Sequence, residues 1–259
     1  RRRDTRERPV LLDDALFLRP IHPANRRWAW LRPTSRVVDS TRLASAVIAG
    51  NEYLADWARQ RNANVTTIPT VVDTERFVPR PPRRPGGPVV IGWTGSSTTA
   101  PYLRLLDMPL EIVASRHDIV FRVIGGNYAH PRVRVEEMAY QLEREPADVA
   151  TFDIGVLPQP DDEWTRGKGA FKALVYMATG LPVVASWVGV NPEVVLDGDT
   201  GYCVRSDEEW VEALERLILD PDLRQRLGAR GREHVVRSYS KSSQAPRLAR
   251  VLRQAARRV

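Results

Sequence analysis

Cysteine, lysine and long apolar stretches are all scarce in this 259-residue chain. The single cysteine, Cys203, excludes an intrachain disulfide and is typical of proteins from a reducing compartment. The longest nearly apolar stretch, residues 181–190, is about half as long as a helix that spans a bilayer. The N-terminal residues alternate charges after three arginines and do not have the pattern of a signal peptide. We therefore expect a cytoplasmic location.

Lysine contributes only three of the 39 lysine and arginine residues. Two of the three, Lys168 and Lys172, are spaced by one helical turn. A lysine ammonium is a compact charge on a flexible stem, whereas the arginine guanidinium is a wide planar fork. A narrow, glycine-lined phosphate pocket therefore favours lysine. Chance, combined with a solvated helix start, explains the pair equally well from spacing alone.

The formal net charge of +7 suggests an anionic partner. The basic residues are spread along the chain, with concentrations at residues 1–3, 80–84 and 247–258. No zinc-ligand spacing, RNP-like aromatic motif or leucine zipper accompanies them. We expect a basic face for phosphates or acidic lipids, with no metal ligands and no specific nucleic-acid partner.

Five prolines and two glycines fall within residues 79–88, and such a segment continues neither a helix nor a central strand. We predict an interdomain linker there. Residues 1–78 then form a partial N-terminal domain, with a helix inside Ala44–Arg61 and a strand at residues 66–69. Because 78 residues amount to roughly half of an ordinary domain, we expect the chain to begin inside one.

Short apolar segments alternate with helix-like segments after the linker. We predict strands at residues 89–93, 119–124, 153–157 and 181–186, and helices at about 102–115, 171–179, 208–219 and 221–238. Continuous apolar strands separated by helices predict a parallel sheet covered on both faces. The chain is therefore predicted to contain a doubly wound α/β domain over residues 89–240, followed by a helix or basic tail over residues 241–259.

Three segments of this domain carry small, polar or charged residues where a strand meets a helix. Ligands of open parallel sheets bind at the carboxyl ends of the strands. The first segment is the loop Gly95, Ser96, Ser97 and Thr98, whose small residues allow backbone N–H groups to approach a phosphate. It matches neither of the common glycine-rich phosphate motifs. An ordinary Ser/Thr helix cap explains it as well.

The second segment contains Arg166, Gly167, Lys168, Gly169 and Lys172. The glycines permit unusual backbone geometry around Lys168. A cation at the start of a helix opposes the helix dipole, which makes an anionic ligand there more plausible.

The third segment, a turn that follows the predicted strand at 181–186, contains Val190, Asn191 and Glu193. Asn191 is suited to cap the next helix, and Glu193 is a common first-turn acid.

The run from Phe152 to Val204 resembles the donor-binding half of family 4 retaining glycosyltransferases of the GT-B fold. The resemblance depends on GLPVVAS at 180–186, PEVV at 192–195 and Asp197-Gly198. Upstream, IGWTGS at 91–96 is similar to the first strand and phosphate loop of that domain. Residues 49–54 and 68–73 resemble the end of the N-terminal domain, so the similarity covers most of residues 10–240.

The resemblance implies an α/β fold with Rossmann-like sheets and the transfer of a sugar from a UDP- or GDP-sugar, with retention and without a cofactor or metal. Lys168 and Lys172 would then neutralise the diphosphate as catalytic residues. Donor-binding residues would be Gly95, Ser96, Ser97, Thr98, Arg166, Gly167, Gly169, Val190, Asn191 and Glu193. A glycan or lipid acceptor and a role in cell-surface polysaccharide synthesis are implied as well. Arginines after residue 245 suggest peripheral contact with an anionic membrane, at the inner face.

Three departures from the family pattern leave alternatives open. Two positions that are often glutamate are Gly167 and Val175 here, and Val175 accepts no hydrogen bond from a ribose hydroxyl. The loop at 95–100 lacks the cationic pair of many relatives. The resemblance also leads us to expect that much of the acceptor-binding domain lies outside these 259 residues. A noncatalytic nucleotide- or phosphate-binding module therefore remains an alternative, as does a basic surface that binds nucleic acid.

Overall fold

A computed structural model describes residues 8–18, 34–79 and 86–257. Its strands are β1 (Val10–Leu12), β2 (Val47–Ala49), β3 (Val65–Thr67), β4 (Val89–Thr94), β5 (Ile119–Ile124), β6 (Val135–Met138), β7 (Ile154–Leu157), β8 (Val183–Ser186) and β9 (Gly201–Val204). Its α-helices are α1 (Ser35–Leu43), α2 (Glu52–Arg59), α3 (Asp107–Arg116), α4 (Glu145–Val149), α5 (Glu163–Arg166), α6 (Phe171–Ala178), α7 (Asn191–Val194), α8 (Asp207–Leu219), α9 (Pro221–Ser238) and α10 (Lys241–Ala256), and a 3₁₀ helix spans Ala100–Leu106.

The chain divides into two compact units. The smaller unit combines residues up to Val71 with 161–169 and the residues from Lys241 onward, whereas the larger unit combines 72–160 with 170–240. Most of the predicted linker, residues 80–85, lies outside the described residues. Within the part of the chain that is described, no helix is both long and apolar enough to cross a membrane.

The larger unit contains one six-stranded sheet in the order β6-β5-β4-β7-β8-β9, with every neighbouring pair parallel. Counted from β4, this is the order 3-2-1-4-5-6 of a doubly wound nucleotide-binding fold, and the order reverses between β4 and β7. The predicted doubly wound α/β domain is confirmed. Right-handed crossovers on either side of such a reversal leave a crevice at the carboxyl end of the first strand.

Helices cover both faces of this sheet because successive strand residues point to opposite sides. Ile91 and Phe121 are buried with α3 and α8 on one face. Their neighbours Val90 and Val120 are buried with α6 on the other. A strand buried on both faces reads as a continuous apolar run, which is why β4, β5, β7 and β8 were predictable from sequence.

Two strands of the sheet were not predicted, and both lie at its edges. The β6 sequence, Val-Glu-Glu-Met, carries two acids, and Glu136 accepts hydrogen bonds from Arg122 on β5 at 3.1 and 2.6 Å. An edge strand that is half exposed has no apolar run to reveal it. The second, β9, has the sequence Gly-Tyr-Cys-Val and begins with a glycine, so it too lacks a continuous apolar run.

The smaller unit contains a parallel sheet in the order β1-β2-β3. The predicted helix inside Ala44–Arg61 is α2, and β2 precedes it; the predicted strand at 66–69 is β3, shifted toward the N-terminus. One small core is formed by Ile48, Ile68 and the buried side of α10, including Val251. The C-terminal helix therefore stabilises this unit through its apolar face.

Candidate functional site

A hydrogen bond to α6 fixes the position of the last residue of β4. The Thr94 amide donates to the hydroxyl of Tyr176 at 2.9 Å, and both residues are buried. A side chain at Gly155 on β7 would overlap the Tyr176 ring, so the glycine provides the room for that ring. The hydrogen bond sets where the chain leaves the sheet, at the point where the strand order reverses.

Gly95 follows β4 and must be glycine for steric reasons. A Cβ at this position would overlap the Trp93 ring and lie 2.9 Å from Cε of Lys172. The Lys172 stem therefore lies against the backbone of the loop, and its Nζ is 5.6 Å from the centroid of the Trp93 ring. Trp93 is buried, so the loop and the lysine share a rigid base.

The loop after Gly95 folds into a tight turn through its hydroxyl groups. The Gly95 amide donates to the Ile124 carbonyl, and the Oγ atoms of Ser96 and Thr98 are 2.7 Å apart. Within the described part of the chain, the amides of Ser97 and Thr98 donate to no protein group. Ser96, Ser97 and Thr98 are exposed. Two adjacent exposed N–H groups are a suitable ligand for an anion.

A cavity of about 480 Å³ lies over this loop, within the range of small-molecule sites. Its lining residues come from β4 and the loop, from the turns after β5 and β6, from the start of α4 and from the first two turns of α6: Thr94, Gly95, Ser96, Ser97, Thr99, Gly125, Tyr140, Glu145, Phe171, Lys172 and Val175. Three predicted loop residues and Lys172 therefore meet at one cavity. The apolar side chain of Val175 lines it as well.

Lys168 belongs to the smaller unit, and a carboxylate neutralises it there. Its Nζ donates to Oδ1 of Asp14 at 2.7 Å and lies 4.5 Å from the centroid of the Trp164 ring. Both charged side chains are partly exposed. The Lys168 backbone carbonyl accepts a 3.3 Å hydrogen bond from Asn51. Arg166 is paired with Asp161 at 2.7 Å, and this hydrogen bond raises the pKa of Arg166 and lowers that of Asp161.

The predicted reason for the glycines around Lys168 is wrong. Neither Gly167 nor Gly169 has a positive φ, and the left-handed residue of the segment is Ala170, with φ of 54°. Gly167 is needed because a Cβ would lie 2.8 Å from that of Ala15, and one at Gly169 would overlap the Thr70 hydroxyl. Close packing requires these two glycines.

The segment from Val190 to Glu193 does not contribute to the cavity lining. Asn191 is not the N-cap of α7 but its first residue, preceded by Val190. The Asn191 amide is buried and donates to Oε1 of Gln159 at 2.8 Å and to the Ser186 carbonyl at 2.9 Å. Asn191 thus holds the turn after β8 in place, and Glu193 is exposed.

Two lining residues, Tyr140 and Glu145, gave no signal in the sequence. Both belong to the connection between β6 and α4, and β6 itself was unpredicted. Burial is the main cause that raises the pKa of Glu145, opposed by the Tyr140 hydrogen bond and by the Arg76 charge. Burial and the charge of Glu145 raise the pKa of Tyr140. Glu145 is the acidic side chain among the residues that line the cavity.

Comparisons with known proteins relate the chain to glycosyltransferases. Residues 169–234 match the family model of glycosyl transferases group 1. The chain is 29% identical over 232 residues to D-inositol 3-phosphate glycosyltransferase of Stackebrandtia nassauensis, covering 78% of this chain and 51% of that protein. It is 28% identical to a GDP-mannose-dependent alpha-(1-6)-phosphatidylinositol monomannoside mannosyltransferase of Mycolicibacterium smegmatis, covering 74% and 56%. The chain thus spans about half the length of these relatives.

Solved structures show the same fold. Anabaena Alr3699/HepE in complex with UDP and glucose matches with a TM-score of 0.69 at 15% identity, covering 95% of this chain and 71% of that one. Sucrose-phosphate synthase from Thermosynechococcus elongatus matches with a TM-score of 0.68 at 19% identity, covering 88% and 63%. The matched family model and the sequence relatives make the chain similar to the group 1 glycosyltransferases of family 4, and its parallel Rossmann-like sheets give it a GT-B-like α/β fold.

Proposed function

We propose that the larger unit binds the nucleoside diphosphate of a UDP- or GDP-sugar, and that the protein transfers the sugar to a glycan or lipid acceptor with retention of configuration. The observation that carries this proposal is the cavity at the carboxyl end of β4. This cavity combines Lys172 with the exposed amides of the loop after β4. The sequence relatives of the chain are glycosyltransferases.

The chemistry assigned to the cavity is stabilisation of the departing diphosphate. When the bond between the anomeric carbon and the diphosphate breaks, negative charge accumulates on the phosphate oxygens. The Lys172 ammonium and the Ser97 N–H group, both from residues in the cavity lining, form a donor set that is already positioned before the reaction, and the Thr98 N–H group is adjacent in the loop. Donors held in place by the fold lower the barrier because they do not reorganise as charge develops.

Lys168 is proposed as a second cation that contributes less than Lys172 to neutralising the diphosphate. Asp14 already neutralises it at 2.7 Å, so any anion that binds Lys168 must replace a carboxylate. Arg166, Gly167, Gly169, Val190, Asn191 and Glu193 remain proposed donor contacts on the family resemblance alone. Peripheral contact between the arginines of α10 and an anionic membrane is likewise a proposal.

The test is direct binding and turnover with the full chain. Calorimetric titration with UDP and GDP is expected to give saturable 1:1 binding, and UDP- or GDP-sugars are expected to be hydrolysed slowly or transferred when acceptor is present. Absence of binding by any nucleoside diphosphate would contradict the proposal.

A noncatalytic nucleotide-binding module is the second candidate, and Val175 favours it. This apolar residue lines the cavity at the position that the family resemblance pairs with a glutamate. Nucleotide binding with no hydrolysis or transfer in any donor and acceptor combination would identify that module. Salt-dependent binding to DNA or RNA, with no affinity for nucleotides, would instead identify a nucleic-acid-binding surface.

A further inference from the structure

The cavity has a second wall that the diphosphate chemistry does not use. Gly125, which follows β5 with φ of +78°, lies so close to Gly95 that a Cβ would overlap the Gly95 carbonyl oxygen and lie 2.9 Å from Cβ of Tyr140. Tyr140 is therefore the immediate neighbour of the phosphate loop. Glu145 follows at the first position of α4.

Glu145 is an oriented carboxylate with one oxygen left for a ligand. The Tyr140 hydroxyl donates to Oε2 at 3.2 Å, and Nη2 of Arg76 lies 3.5 Å from the same oxygen. Among the described residues, no protein group donates to Oε1. The residue is 7% exposed, and the Arg76 guanidinium is itself held by the Leu142 carbonyl. A carboxylate fixed on one side accepts from a ligand on the other.

The Tyr140 ring beside this carboxylate is available for stacking. It is 45% exposed although it lines the cavity, and Phe171 of the same lining is 47% exposed. Exposed aromatic rings in a cavity wall are a typical platform for a nucleobase, since every base has a π face. A ring and an oriented carboxylate side by side offer stacking and edge recognition together.

A carboxylate discriminates among bases because it only accepts hydrogen bonds. Guanine presents two adjacent donors, N1–H and N2–H, to such a group. Uracil presents a single N3–H between two carbonyl oxygens, and those oxygens repel a carboxylate. Building on the proposed function, we propose that Glu145 and Tyr140 form the nucleobase subsite of the cavity and that Glu145 selects guanine, so that the donor is a GDP-sugar.

The experiment is a set of calorimetric titrations of the full chain with GDP, IDP and UDP. IDP lacks the 2-amino group of guanine. We expect GDP to bind most tightly, IDP less tightly and UDP about 10- to 100-fold more weakly than GDP, the range for one bidentate contact. Equal affinities for GDP and UDP would overturn the inference. If no nucleotide binds, the proposed function fails and this inference fails with it.

Glu145→Gln separates base recognition from a structural role. The amide nitrogen of the new side chain competes with the guanine donors, so GDP affinity is expected to fall at least about 10-fold while UDP affinity changes by less than about 3-fold. Glu143→Gln, at an exposed neighbour outside the cavity lining, is the matched control and should leave both affinities unchanged. An equal loss for GDP and UDP in Glu145→Gln would overturn the inference.

Tyr140 variants provide an independent readout. Tyr140→Phe keeps the ring but removes the hydrogen bond to Glu145, so we expect a loss for GDP and none for UDP. Tyr140→Ala removes the stacking surface, so both nucleotides should bind about 10-fold more weakly. Wild-type affinity of Tyr140→Ala for both nucleotides would exclude the ring from the subsite.

Discussion

The two lysines that stood out in the sequence have different surroundings in the two units. In the smaller unit, Lys168 is 2.7 Å from the Asp14 carboxylate and beside the Trp164 ring. In the larger unit, the Lys172 stem lies against Gly95, and its ammonium is held near Trp93 in the wall of a cavity. The two lysines therefore differ in their surroundings: Lys168 must exchange a carboxylate partner before it binds a phosphate, whereas Lys172 lies in the lining of the cavity.

The largest effect is expected from Lys172→Glu. Reversing the charge removes a charge-assisted hydrogen bond and adds repulsion toward phosphate, so GDP and UDP should bind about 100-fold more weakly or worse. Calorimetric titration measures this, with Lys241→Glu as the control at the remaining lysine, which is outside the cavity lining. A change below about 3-fold at Lys172 would remove it from the phosphate site.

Gly95→Ala tests the base on which Lys172 rests. The new Cβ would overlap the Trp93 ring and press on the Lys172 stem. Overpacking of this kind costs about 1–3 kcal/mol of unfolding free energy, and nucleotide affinity should fall as the lysine moves. Urea denaturation measures the first effect and titration the second. Gly50→Ala, where the nearest atoms lie 3.4 to 3.7 Å from the new Cβ and φ is not positive, is the control for steric overlap. Wild-type nucleotide affinity in Gly95→Ala would mean that the loop does not position the Lys172 side chain.

Asp14→Asn tests whether the ion pair with Asp14 keeps Lys168 from binding a phosphate. We expect nucleotide affinity to stay within about 3-fold, and stability to fall by about 0–1 kcal/mol, as for a partly exposed ion pair. Glu52→Gln, which removes an exposed ion-pair partner of Arg59 in the same unit, is the matched control. A gain of 10-fold or more in nucleotide affinity would mean that Asp14 holds back a phosphate ligand.

The smallest effect is the pH dependence due to Glu145. Because burial raises the pKa of its carboxyl group, the folded protein keeps a proton that the unfolded chain has already released. The corresponding stability is present at low pH and is lost as pH rises through the folded-state pKa. Glu145→Gln does not titrate, so its stability relative to wild type should increase with pH across that window. Denaturation curves over a pH series measure this, with Glu143→Gln as control. A difference in unfolding free energy between Glu145→Gln and wild type that does not change with pH would contradict the prediction.

The sheet of the larger unit was predictable because its central strands are buried on both faces. β4 and β5 read as apolar runs, and the loop after β4 follows from the position of the switch point. The edge strand β6 carries exposed acids, and so the connection with Tyr140 and Glu145 stayed hidden. Side chains that follow an edge strand without an apolar pattern give no periodic signal in the sequence, even when they line a cavity.

Partners that are distant in the chain were also beyond sequence reasoning. Asp14 and Lys168 are 154 positions apart, and nothing in their local sequences links them. Asn191 fits the residue preference of a cap, but tertiary contacts with Gln159 and Ser186 bury it instead. Local preference predicts which residues suit a turn, and packing decides which role they take.

The most direct test compares Lys172→Ala with Lys168→Ala in one titration series with the same nucleoside diphosphate. We expect Lys172→Ala to weaken binding about 10- to 100-fold, as for one lost charge-assisted contact, and Lys168→Ala to weaken it by less than about 3-fold. An equal or greater loss in Lys168→Ala would contradict the assignment of the phosphate-binding cation to Lys172.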